Sequence, residues 1–96
     1  MNAAKFEDIC TRAKFTPREK VHTPEGAILV GERYSKASDN YPLGHYEVLW
    51  AIERDGCDIG QMLEIPFGNT TPESRERAAV KAAQQFIKDS VDSGRY

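Results

Sequence analysis

Apolar and polar positions alternate most regularly between His45 and Ile65. Tyr46, Val48, Trp50 and Ile52 occupy every second position, and Asp55-Gly56 follows them. That dipeptide favours a two-residue type I′ hairpin turn, in which both positions take positive φ. Strands are therefore expected over 45–54 and 57–65. Upstream, Ala27 to Ser35 (AILVGERYS) reads as another strand, with Gly31 the position for a bulge. Phe6, Ile9, Cys10 and Ala13 fall at helical spacing and predict a helix over 3–14. Thr71-Pro72-Glu73 places a threonine N-cap before a proline in the first turn. The helix it opens is expected over 72–90, with Ala78, Ala79, Ala82, Ala83, Phe86 and Ile87 on its apolar side. Thr16-Pro17-Arg18-Glu19 fits a capping box and predicts one extra helical turn. The chain then breaks at 22–26, and a polar connection of about ten residues begins at Lys36. The expectation is a single α+β domain of order α-β-β-β-α, with two helices packed on one face of a three-stranded antiparallel sheet.

Counting outward from Asp55-Gly56 fixes the hairpin register. Arg54 faces Cys57, Glu53 faces Asp58 and Ile52 faces Ile59. Ala51 then faces Gly60, Trp50 faces Gln61, Leu49 faces Met62, Val48 faces Leu63, Glu47 faces Glu64 and Tyr46 faces Ile65. One face gathers Tyr46, Val48, Trp50, Ile52, Ile59, Leu63 and Ile65, and is the core side. The other carries the like-charged pairs Glu47–Glu64 and Glu53–Asp58, with Leu49 and Met62 between them. Directly opposed like charges destabilise a sheet. An acidic rim around apolar residues suits a surface that docks a basic partner. A solvated face whose acids are neutralised by Arg33 or Arg54 fits the same pattern equally well.

Charge sharpens this picture. The chain has 96 residues, enough for one small domain, and a net charge of −2, which disfavours a strongly basic nucleic-acid binder. Segment 25–66 holds the acids Glu25, Glu32, Asp39, Glu47, Glu53, Asp55, Asp58 and Glu64 against three bases, for −5; the flanking segments are +2 and +1. No apolar run approaches the roughly 18–20 residues of a membrane span. MNAAKFEDIC has no apolar stretch of the secretory kind. Two cysteines, Cys10 and Cys57, are too few for a disulfide scaffold, so a reducing cytoplasm is the expected setting.

Catalytic chemistry is thin. Cys10, Cys57, His22 and His45 lack the short ligand spacing of a zinc site, and no phosphate-binding glycine motif is present. No metal, cofactor or enzymatic activity is expected. Tyr41 and His45, at the end of the long connection, are candidate loop contacts.

Helix–three strands–helix, together with Ala78-Ala79-Val80-Lys81-Ala82-Ala83-Gln84-Gln85-Phe86, resembles the double-stranded-RNA-binding domain and its A-A-x-x-A-L-x-x-L helix. That resemblance implies a nucleic-acid binder using Arg75, Arg77, Lys81, Lys14, Arg18 and Lys20. Where that family's helix opens with a lysine cluster, this chain has Thr71 and Pro72. In size, acidity and architecture the chain also resembles small phage or mobile-element proteins of the anti-CRISPR inhibitor type. This second resemblance implies a non-enzymatic inhibitor that covers a basic, nucleic-acid-handling surface of a host protein. The partner-binding residues expected on that reading are Glu47, Leu49, Glu53, Asp58, Met62 and Glu64. The two free sheet edges also leave room for a dimer.

Overall fold

The computed structural model describes residues 1–54, 60–68, 70–92 and 94, with the backbone alone at 92. In chain order the elements are α1 (Ala3–Ala13), β1 (Thr16–Pro17), β2 (Val21–Thr23), β3 (Gly26–Ser35), β4 (His45–Glu53), β5 (Gly60–Pro66) and α2 (Pro72–Asp92). They form an α+β domain around one antiparallel sheet ordered β1-β3-β4-β5, in which β2 also pairs with β3.

The hairpin register is the one obtained by counting from Asp55-Gly56. Tyr46↔Ile65, Glu47↔Glu64, Val48↔Leu63, Leu49↔Met62, Trp50↔Gln61 and Ala51↔Gly60 all pair. The turn itself, and the expected pairs that use Cys57, Asp58 and Ile59, lie outside the described residues.

Three expectations are corrected. First, the sheet has five strands among the described residues rather than three. Thr16-Pro17 is not a helical turn: it pairs with Glu32 and Gly31 of β3, while Val21–Thr23 pairs with Gly26–Ile28. Pairing with a long central strand outweighs a local capping pattern, because each ladder bond satisfies backbone groups that a single isolated helical turn leaves open. Second, Gly31 is not a bulge, since β3 pairs with β4 without interruption from Ala27↔Glu53 to Ser35↔His45. A Cβ on Gly31 would lie 2.9 Å from Cys10 Sγ, so glycine here lets α1 sit close against β3.

Third, the helices lie on opposite faces. Ile28, Val30, Val48, Trp50 and Ile52 point to one side and pack with Ala79, Ala83 and Ile87 of α2. Leu29 and Ala51 point to the other side and pack with Phe6 and Cys10 of α1, together with Met1 and Phe15. The runs Ala27-Ile28-Leu29-Val30 and Val48-Leu49-Trp50-Ala51-Ile52 are apolar at both phases of a strand, so each face needs its own cover.

Local chemistry sets the helix ends. Asn2 accepts the Lys5 N–H at 2.7 Å, and Lys14 closes α1 at φ 63. The Met1 nitrogen donates to the carbonyls of Ile52 and Arg54, both at 3.0 Å, and so ties the start of α1 to the end of β4. At α2, Ser74 N–H donates to Thr71 Oγ1 (3.0 Å) and Thr71 N–H donates to Ser74 Oγ (2.9 Å), a reciprocal cap. Among the described residues no helix is long and apolar enough to cross a membrane.

Candidate functional site

Backbone alternation decides which groups β5 shows to β4 and which it shows outward. Phe67 N–H donates to the Gly44 carbonyl at 3.0 Å, one step beyond the pair His45↔Pro66. Hydrogen-bonded and non-hydrogen-bonded pairs alternate in an antiparallel ladder. Ile65, Leu63 and Gln61 therefore bond to β4, while Pro66, Glu64, Met62 and Gly60 aim their backbone groups away from it. Glu47–Glu64 and Leu49–Met62 are thus non-hydrogen-bonded pairs, the kind whose Cα atoms approach to about 4.5 Å.

Two carboxylates this close must be separated electrostatically, and the structure turns them opposite ways. Glu47 is claimed by Arg33 on β3, which donates Nε to Oε1 (3.2 Å) and Nη2 to Oε2 (3.1 Å). Arg33 also donates to the Ala13 carbonyl at 2.6 Å and lies 4.3 Å over the Phe15 ring, which anchors the end of α1. Glu64 stays exposed and accepts a hydrogen bond from the Tyr41 side chain. That bond, then partial desolvation, then the Glu64 charge, push the Tyr41 phenol above its ordinary pKa. Tyr41 in turn lies 4.5 Å, centroid to centroid, from the His45 ring. His45 is buried, with Nε2 4.0 Å from Glu47 Oε1 and Nδ1 without a hydrogen-bond partner among the described residues.

The α1 cluster covers β3 and Ala51 of β4 on this face and leaves the β5 side open. Leu49 is half-buried at the border and Met62 is 43% exposed. The structure therefore brings Tyr41, His45, Glu47, Leu49, Met62 and Glu64 together on one face. Glu53 sits at the far end of the same face and is held by Lys20, whose Nζ donates to both carboxylate oxygens at 2.8 and 2.7 Å. Asp58 lies outside the described residues.

Sequence reasoning missed an apolar shelf beside this cluster. Leu43 is 68% exposed and Phe67 45%. With Tyr41, Pro42 and Pro66 they line a shallow depression of about 320 Å³. Phe67 joins Tyr34 and Tyr46 in an aromatic group, with Tyr46 and Phe67 stacked at 6.1 Å. Gly44 fixes the bend: its φ is +89, and a Cβ there would strike the Tyr34 hydroxyl. The sequence signal was the spacing of Leu43 and Phe67, which flank the paired residues His45 and Pro66 and so meet at one end of the hairpin.

The other candidate chemistry does not assemble. Among the described residues no group of three His, Cys, Asp or Glu side chains is placed to hold a metal ion. Cys10 is fully buried, and desolvation followed by the nearby Glu7 charge pushes its thiol pKa up, which keeps it protonated and unreactive at neutral pH. Cys57 lies outside the described residues. Of the bases expected on a nucleic-acid reading, Arg75 is buried and donates to Glu32 at 2.8 and 3.2 Å. Arg18 lies 3.7 Å from Glu32, and Lys20 is held by Glu53. Arg77 and Lys81 are exposed on α2, and Lys14 is exposed at the end of α1.

Comparison with family models, with curated proteins and with solved structures finds no match to this chain.

Proposed function

We propose that the protein is a non-enzymatic interaction module that docks a basic protein surface through the open half of its α1 face. The observation that carries this reading is the partial cover given by α1. It leaves Met62 and Glu64 exposed beside Leu49, and the Leu43–Phe67 shelf continues the same surface around the end of the hairpin. An apolar centre with a charged margin is the anatomy of a protein-binding patch. Glu64 and Tyr41 supply the polar margin, while the charges of Glu47 and Glu53 are balanced by Arg33 and Lys20. The concrete form of the reading is an inhibitor, of the kind small phage proteins supply, that covers a nucleic-acid-handling surface of a host protein. Carboxylates compete there with phosphates for the same lysines and arginines.

A host-protein fraction retained on heparin, and so enriched in nucleic-acid-binding surfaces, provides the test. The immobilised chain is expected to retain a defined protein from it, and added duplex DNA or RNA is expected to displace that protein. Glu64→Lys and Met62→Asp should each abolish retention, while Lys81→Glu on the opposite side leaves it unchanged. Equal retention by Glu64→Lys, or no retention by the unaltered chain, overturns the reading.

A further inference from the structure

The two edges of the sheet are built differently. On one side β3 is flanked by two short strands, and the interval between them holds Arg18, Glu19 and Lys20 next to Pro17. Short strands, proline and charge are the usual guards against edge pairing. The other edge, β5, runs unbroken for seven residues and contains no lysine or arginine. Its outward N–H groups at Gly60, Met62 and Glu64, and its outward carbonyls at those residues and at Pro66, have no backbone partner among the described residues. Pro66 has no N–H, and its phase in the ladder means that only an outward donor is missing.

We propose that β5 pairs antiparallel with β5 of a second copy of this chain, with Leu63 at the two-fold axis. The choice of a second copy rests on how β5 reads against itself. Centred on Leu63, Glu64 faces Met62 of the other copy and Gly60 faces Pro66, so every outward carbonyl meets the outward-facing edge of its counterpart. On the α2 side, Leu63 meets Leu63 and Ile65 meets Gln61, which covers two side chains that α2 leaves half-exposed. A register shifted by one residue toward Pro66 would set Glu64 against Glu64 and is disfavoured by like-charge repulsion. Two-fold self-pairing is isologous and closes at two copies. It also places the Met62 and Glu64 groups of both copies side by side on one face, doubling the width of the open patch.

The mass is measured with the chain alone, so failure here leaves the docking reading untouched. Sedimentation across a concentration series is expected to show conversion to twice the 10.8 kDa of one chain. Glu64→Pro removes only an outward donor and should hold the chain monomeric with an unchanged far-UV spectrum. As a second readout that tolerates a folding defect in that variant, Leu63→Cys in a Cys57→Ser background should form an intermolecular disulfide on oxidation. The paired positions are then within the Cα separation that a disulfide spans, about 4.4–6.8 Å. Gln61→Cys in the same background should not cross-link. A monomer at every concentration, a dimer undiminished in a folded Glu64→Pro variant, or cross-linking at 61 in place of 63 overturns the proposal.

Discussion

The two faces of the sheet use the same strands for different ends. On the α2 face, every second residue of β3 and β4 is large and apolar where the helix crosses, and a 21-residue helix packs over them, with Leu63 and Ile65 of β5 left half-exposed. On the α1 face, the intervening positions hold Leu29, Gly31, Leu49 and Ala51, under an 11-residue helix whose cluster reaches β3 and β4 and stops short of β5. Five of the six largest fully buried side chains among the described residues, Trp50, Ile28, Ile52, Val30 and Val48, lie on the α2 face. Small ones let a short helix approach closely on the other and stop short of β5. The difference assigns stability mainly to the α2 face and leaves the β5 side of the α1 face free for contact.

Neighbouring residues on β4 give the largest test of that difference. Trp50 is 1% exposed in the α2 core, and its ring lies 5.8 Å from Phe86. Trp50→Ala is expected to cost about 3–5 kcal/mol by denaturant unfolding, the usual loss for a buried tryptophan. Leu49, one step along the strand, is half-buried beneath the edge of α1, and Leu49→Ala should cost about 1 kcal/mol. Equal losses would break the comparison.

Ion pairs on the two faces give the next test. Arg75 and Glu32 on the α2 face have side chains 6% and 15% exposed, and the guanidinium also lies 3.7 Å over the Tyr46 ring. Glu32→Ala leaves a buried guanidinium without its counter-charge and should cost about 3 kcal/mol. Arg33, the partner of Glu47 on the other face, is 36% exposed, so water can resolvate it. Glu47→Ala is expected to cost about 1 kcal/mol, and raising the salt concentration should narrow that loss more than the loss at Glu32. A larger loss at Glu47 would move the structural burden to the α1 face.

How far the sequence revealed these faces depends on the range of each signal. The hairpin register was legible because one turn dipeptide determines every pair that follows from it. α2 was legible through its threonine cap and alanine face. β1 and β2 were not, because two- and three-residue strands are too short to show alternation, and Thr16-Pro17-Arg18-Glu19 carries a helix-start pattern that only pairing with Glu32 and Gly31 overrides. The stripe Phe6, Ile9, Cys10, Ala13 showed that α1 needs cover without showing on which side of the sheet it would find it. The unbroken apolar runs of β3 and β4 were the available clue. Glu47, Leu49, Met62 and Glu64 were placed on one face correctly, but which of the two acids an arginine would hold depended on a cross-strand neighbour that spacing within the hairpin does not contain.

The smallest expected effect bears on the exposed side of the comparison, the clasp between Tyr41 and Glu64. The phenol is held above its ordinary pKa chiefly because it donates to the Glu64 carboxylate, with desolvation and the carboxylate's charge adding to the shift. A folded-state pKa above the unfolded value of about 10 means that this contact contributes fully below pH 10 and is lost as pH rises through the raised value. Glu64→Gln removes the charge and weakens the acceptor, so the Tyr41 phenol should ionise at lower pH. Phenolate absorbance, with a Tyr41→Phe variant subtracted to isolate one of the four tyrosines, reads that shift directly. Stability at neutral pH should change little, as at other exposed positions. A phenol that ionises at the same pH with and without the Glu64 carboxylate would mean that the margin of the open face is not clasped in solution. Glu64 would then be free to meet a cation without first releasing Tyr41.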